Sequence, residues 1–348
     1  MDNNSITTPQ KKPRIAFIDA LRGFTMILVV YSHIQVFGFD HYGSFNEVFV
    51  KFRMPLFFFI SGWVLYKATR TWDAKTTGSF LKGKFKVQIV STAIFWALFV
   101  YMFGQDFVES LNRFKAGYWF TYTLFFYYLF YIGSMHLARL LKGRAREDVV
   151  VGGIAIVVLL IYCYVMVDKR PQLEGAREEL GVYQWRFYIF FVFGTLVRKH
   201  YKRFVAWTDR PRVMATVTAA LMLLIVFNDA IVFRFVDILK LVAFGLLGIT
   251  LIYTLFRKNE QWFASNRNIS VWLQYIGRHT LDIYLLHYFF VPRNLQIVGD
   301  FFEAHPNPTV EFFVACVLAL AVIGVCLLVS KVLCVSPILA KLLFGKKQ

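Results

Sequence analysis

Six stretches of this chain run for 16 to 23 residues without an Asp, Glu, Lys or Arg: 87–105, 116–138, 149–167, 213–228, 241–256 and 312–330. Four more, over 15–37, 48–66, 182–197 and 270–291, are apolar but interrupted near one end by charge. A helix needs about 20 mostly apolar residues to cross a bilayer. The sequence therefore predicts an all-α integral membrane protein of about ten transmembrane helices, with the lipid bilayer as its surroundings and no soluble domain.

Charge supports that count. Lys and Arg number 39 against 21 Asp and Glu, a formal net charge of +18. With the N-terminus inside, 26 basic residues fall in inner segments and eight in outer ones. This is the positive-inside pattern, which puts both termini in the cytoplasm. It accounts for the basic excess without nucleic acid. Residues 1–13 are polar and lack the apolar core and cleavage site of a signal peptide, so they read as a mobile cytoplasmic tail. One transmembrane domain over 14–340 and a basic cytoplasmic tail over 341–348 complete the expected organisation. Cys163, Cys316, Cys326 and Cys334 lie in apolar runs with neither a disulfide framework nor metal-ligand spacing, and no metal is expected.

Ionisable groups inside a membrane are costly, so they usually line a cavity or pair. The first run carries Asp19, Arg22 and His33. Arg22 lies about 12 Å beyond Arg14, and His33 about 16 Å further, towards the outer side. Eleven residues make close to three turns, so Arg22 and His33 share a helix face. Asp19, one turn below, is placed to hold the Arg22 guanidinium. In the second run Pro55 loosens the helix, Ser61-Gly62 permits a close approach by a helix or a narrow ligand, and Arg53 sits at the depth of His33. Lys82, Lys84 and Lys86 make a basic cluster on the cytoplasmic rim, suited to phosphate or to anionic lipid. Trp119 belongs to an interfacial aromatic belt or to the mouth of a site. In the ninth run Asp282 falls near mid-membrane, at a depth matching Arg22 and able to pair with it, and His287 falls near the depth of His33. Arg234, Asp237 and Lys240 have the spacing of a ladder along one helix face.

Hydrolysis by a Ser-His-Asp triad is poorly supported, because Ser61 lies about 12 Å below the two histidines. What remains suits a long phosphorylated donor entering from inside. Its charged end would meet the lysines, its arm would pass Arg22, and its reactive end would reach His33. A histidine there can act as a general base towards a hydroxyl.

The motifs resemble those of the membrane-bound acyltransferase-3 family. Ile18-Asp19-Ala20-Leu21-Arg22-Gly23, with ten residues separating Arg22 from His33, is similar to its first-span hallmark. Pro55-Leu56-Phe57-Phe58-Phe59-Ile60-Ser61-Gly62 is similar to its second motif, and Thr280 to His287 to a third near the end. The resemblance implies an enzyme moving an acetyl or other short acyl group from cytoplasmic acyl-CoA to a hydroxyl of an extracytoplasmic or lipid-linked sugar. It also implies the bacterial cytoplasmic membrane as location and His33 as base or transient acyl carrier. Arg22, Ser61 and the lysines would hold acetyl-CoA, Arg53 would stabilise the oxyanion or hold the acceptor, and Asp19, Trp119, Asp282 and His287 would support. The chain departs from many members in having lysines, not arginine, before the third span. A lysine holds phosphate without the bidentate fork of arginine. The alternative from a different class is a multi-span exporter of a polar solute or lipid-linked sugar. The chain shows no internal repeat of the kind common in such transporters.

Overall fold

In the computed structural model each of the ten apolar runs is helical, and no strand occurs among the described residues, which are 14–112, 117–141, 144–167, 180–227, 236–265 and 267–346. The expected tail over 1–13 and Arg234 of the expected ladder lie outside them. Six helices are long and apolar enough to cross a membrane: Ala16–Phe39 (α1), Ser44–Leu65 (α2), Ala74–Met102 (α3), Glu147–Met166 within α5, Asp237–Lys258 within α8, and Pro308–Leu333 (α11). The full extents of α5 and α8 are Arg144–Val167 and Val236–Lys258.

The other four expected spans fall short of that standard for separate reasons. Trp119–Leu140 (α4) has the length but is diluted by tyrosine and threonine. The sixth run begins as a 3-10 turn, Val182–Phe187, before the 12-residue helix Tyr188–Lys199 (α6). Pro211–Val226 (α7) has 16 residues. The ninth run breaks at His279 (φ −109°, ψ 20°) into Asn268–Arg278 (α9) and Thr280–Phe290 (α10), of 11 residues each.

Glycines set the closest crossings. A Cβ on Gly23 of α1 would strike the Leu273 carbonyl of α9, and one on Gly277 of α9 would strike the Asp19 carbonyl. Gly62 of α2 and Gly194 of α6 stand in the same relation, facing the Phe191 and Phe59 carbonyls. Small residues at such positions let helix backbones approach in lipid, where packing rather than exclusion of water drives association. The two crossings hold α1 and α2 in the middle of the bundle. Phe17, Phe58, Phe59, Tyr127 and Phe191 fill one apolar cluster beside them, and Tyr31, Phe39, Ile283 and Ala319 a second.

Two helices change pitch. α1 passes into a π-helix over Ile34–Phe39 directly after His33, and α3 does so over Phe85–Val90 directly after Lys84. Single π-turns inside α-helices recur at functional sites, and these two flank one cavity.

Candidate active site

A cavity of about 510 Å³ lies between α1, α2, α3, α4 and α10. On α1 its wall is Arg22, Met26, Val29 and His33, whose spacing of four, three and four keeps them on one face. Lys67, Arg70 and Lys84 line one end. At the other end, beyond Arg22, stand His33, Arg53, Gly117 and Tyr288. Between them the walls are largely apolar, with Phe57, Ile60, Phe120 and Leu124 among them.

The basic end is held by aromatic rings. The Lys84 ammonium lies 5.1 Å from the centroid of Tyr128 and 5.6 Å from that of Phe80. The Arg70 guanidinium sits over Trp72 and Phe80, at 5.2 and 5.1 Å, and donates to the Leu65 carbonyl at 3.0 Å. Each cation keeps donors for a ligand, because a ring face accepts charge without using a directed N–H bond.

Arg22 donates to the Thr280 hydroxyl at 2.8 Å. Thr280 opens α10 at the break, so the helix interruption supplies a polar partner for a guanidinium deep in an apolar bundle. The expected partners do not take this role. Asp19 is buried near the crossing with α9, outside the cavity wall, and no hydrogen bond joins it to Arg22, which donates to Thr280. Asp282, also outside the wall, accepts at 2.6 Å from both Ser330 and Lys346. The expected pairing of Asp282 with Arg22 is thereby replaced by one with the C-terminal segment.

At the far end His33 Nδ1 lies 2.8 Å from His287 Nε2, with the two rings nearly parallel at 7°. His287 Nδ1 lies 3.0 Å from the Ile283 carbonyl, one turn back on α10. The remaining nitrogen of His33, Nε2, is 3.5 Å from the Tyr288 hydroxyl, which also donates to the Gly117 carbonyl at 3.0 Å. Arg53 donates to Asn46 at 3.4 Å, and its buried Nε has no partner among the described residues.

Of the residues singled out in the sequence, Arg22, His33, Arg53, Ser61, Lys84 and Trp119 share the cavity. Ser61 donates to the Phe57 carbonyl at 2.9 Å, a local helix bond. His287 touches the site through His33. Lys82 and Lys86 are exposed and outside the wall. Sequence reasoning missed Lys67, Arg70 and Tyr288, and it placed Thr280 only as the start of a motif, without its contact to Arg22. Tyr288 carried a signal, since it adjoins His287, and Lys67 and Arg70 sit in the same inner loop as the lysines. Among the described residues no group of three His, Cys, Asp or Glu side chains is placed to hold a metal.

The site thus sets a half-buried histidine, one nitrogen against a second histidine, at the far end of a cavity whose mouth is basic. Neither a curated protein nor a solved structure matches the chain. The family model of the acyltransferase domain called acyltransferase-3 matches residues 15–329. That span takes in the cavity, the histidine pair, five of the six long apolar helices and most of the sixth, and the chain belongs to the acyltransferase-3 family of membrane acyltransferases.

Proposed function

We propose that the protein is a ten-span O-acyltransferase, with both termini in the cytoplasm. In this reading it carries an acetyl or similar short acyl group from cytoplasmic acyl-CoA to a hydroxyl of an extracytoplasmic or lipid-linked sugar. The observation that carries the reading is the single cavity that joins Lys67, Arg70 and Lys84 to His33 by way of Arg22. Arg22 and His33 are separated by about 16 Å along α1, the scale of a pantetheine arm. Phosphates at the basic mouth would leave the thioester beside His33, and Arg22 would hydrogen-bond the amides between.

The chemistry then needs few groups. Nε2 of His33 takes the proton of the acceptor hydroxyl as its oxygen attacks the thioester carbonyl. The Nε–H of Arg53 is the donor for the oxyanion that forms. Collapse of the tetrahedral intermediate breaks the carbon–sulfur bond, the thiolate takes the proton from the His33 imidazolium, and an ester and free CoA leave. Arg53 serves the reaction better than a lysine would, because it remains cationic in an apolar setting.

The test is transfer from radiolabelled acetyl-CoA to envelope glycans by the protein in nanodiscs, with mass spectrometry of the product. The wild type is expected to add one acyl group per modified hydroxyl, and folded His33→Ala to add none. Undiminished transfer by His33→Ala would remove the proposed base. Movement of glycan without ester formation would favour an exporter.

A further inference from the structure

Histidine 287 does not line the cavity, yet it is fully buried and its ring is fixed at both nitrogens. The Ile283 carbonyl beside Nδ1 can only accept, so Nδ1 carries the proton of a neutral His287 ring. Its Nε2 is then a lone pair, 2.8 Å from His33 Nδ1. Two lone pairs at that distance would repel, so in the neutral pair His33 Nδ1 bears the hydrogen. His33 Nε2 is left as a lone pair, on the edge of the ring that faces Tyr288 and the cavity.

From this chain of bonds we infer that His287 is a positioning residue, which holds His33 in the tautomer whose cavity-facing nitrogen is basic. A neutral histidine in water favours the other tautomer, with the hydrogen on Nε2, and that form has no proton-accepting nitrogen to offer here. His287 thus does what a carboxylate does for the base of a hydrolytic triad, orienting the imidazole and receiving its Nδ1–H. It adds no charge to an apolar site. When His33 takes the acceptor's proton at Nε2, the same bond receives part of the imidazolium charge, and the Ile283 carbonyl holds the second ring against rotation. Tyr288 Oη completes the setting. Its hydrogen is engaged by the Gly117 carbonyl, so its oxygen leaves the His33 lone pair free for a hydroxyl donor.

The inference rests on the acyltransferase reading for its consequence, but its first readout does not depend on activity. The chain has seven histidines, few enough for nitrogen NMR of 15N-histidine-labelled protein in nanodiscs, with His33→Gln used to assign the His33 signals. Wild-type His33 is expected to carry its hydrogen on Nδ1 with Nε2 unprotonated, and His287→Phe to lose that preference. Single-turnover acyl transfer should fall about 100-fold in His287→Phe with KM for acetyl-CoA unchanged. His287→Gln, whose side-chain oxygen can accept from Nδ1, should recover most of the loss. A wild-type His33 protonated on Nε2 overturns the assignment, as does a folded His287→Phe at full rate. Should His287→Phe not fold, the wild-type spectrum and the Gln variant still decide. A correct tautomer in a protein that transfers no acyl group would count against the proposed function and leave the histidine arrangement standing.

Discussion

Lys346, near the C-terminus, donates a 2.6 Å hydrogen bond to the buried carboxylate of Asp282 on α10. Ser330 of α11 donates to the same oxygen, also at 2.6 Å. α10 is the helix that brings Thr280 to Arg22 and His287 to His33, so the end of the chain fastens the helix that arranges both cavity groups. Burial alone would lower the affinity of Lys346 for its proton, but the Asp282 bond and charge outweigh it and hold the group above the ordinary lysine value.

Lys346→Met should therefore destabilise the protein. It leaves a carboxylate that is 4% exposed without its cation, while Lys346 itself is 37% exposed. That partial exposure reduces the effect from the full cost of breaking a buried pair to roughly 1–3 kcal/mol. Asp282→Asn in the same background should recover part of the loss, since a neutral amide can still accept from Ser330. Because the lysine is raised, the contribution is complete below the ordinary lysine range of about 10.4 and is lost as pH climbs through the folded value. Thermal unfolding in detergent of the two single variants and the double variant measures the coupling. Additive losses would mean that the bond contributes nothing.

The basic mouth gives a second expectation. Lys84 lines the cavity while Lys82 and Lys86 are exposed outside it. Lys84→Ala should raise KM for acetyl-CoA about tenfold, the effect of losing one charge-assisted phosphate bond. The same change at Lys82 or Lys86 should stay within about twofold, the scale of a screened surface charge. Arg70→Ala should resemble Lys84→Ala. Equal effects at Lys82 and Lys84 in a donor titration would mean that the lysines act as a diffuse field and not as a site.

Those lysines also show how far the sequence can be read. Three residues at every second position cannot all share a face of an α-helix, where neighbours are three and four apart, so Lys84 stands apart from the pair Lys82 and Lys86, and one cavity cannot take all three. The spacing that brings Arg22 and His33 together obeys the helical period and was legible. So were the helical character of all ten runs and the close approach at Gly62. The partner of Asp282 was not, because depth in a bilayer narrows a search to a plane and says nothing of which helix is adjacent. Lys346 lies 64 residues away, in a segment that charge alone marks as a solvated tail. The break at His279 was also hidden. No proline or glycine occupies position 279, and the contact found at the interruption, Thr280 with Arg22, spans 258 residues.

That contact can be tested directly. Arg22→Ala should raise KM for acetyl-CoA by tenfold or more, by removing the one cation that the described residues place along the middle of the tunnel wall. Thr280→Val keeps the shape and removes the acceptor of the 2.8 Å bond. It should cost about threefold to tenfold in the same constant, because the guanidinium remains but is no longer aimed. Arg22→Lys should fall between the two. An Arg22→Ala enzyme with wild-type KM would dissociate this residue from the donor.

Gly277→Val should be among the most damaging substitutions away from the cavity. Its Cβ would meet the Asp19 carbonyl and the Gly23 amide, and two backbones cannot move apart without losing the α1–α9 crossing. A loss of several kcal/mol, or failure to accumulate folded protein, is expected. Gly133→Ala provides the opposite sign. Nothing lies within 4 Å of a Cβ there, and alanine favours a helix over glycine by up to about 1 kcal/mol. Size-exclusion profiles and unfolding temperatures of the two variants distinguish crowding at a crossing from a general intolerance of helix glycines.

The pH dependence of transfer bears on the base itself. In the proposed reaction the active form of His33 is the neutral ring with Nε2 free, so single-turnover rate should be full at higher pH and fall tenfold per unit on the acid side, where Nε2 holds a proton. The two rings share a hydrogen bond of 2.8 Å, so the midpoint of that limb belongs to the pair and not to either histidine. Replacing His287 by Gln removes one titrating partner while keeping an acceptor for Nδ1, and the acid limb should move yet retain a slope of one. Moving Arg53 to Gln should lower the plateau, through loss of oxyanion stabilisation by roughly 100-fold, and leave the limb in place unless its charge sets the midpoint. A rate that grows as the pH falls would require the protonated histidine to be the active form, and proton abstraction by His33 would have to be given up.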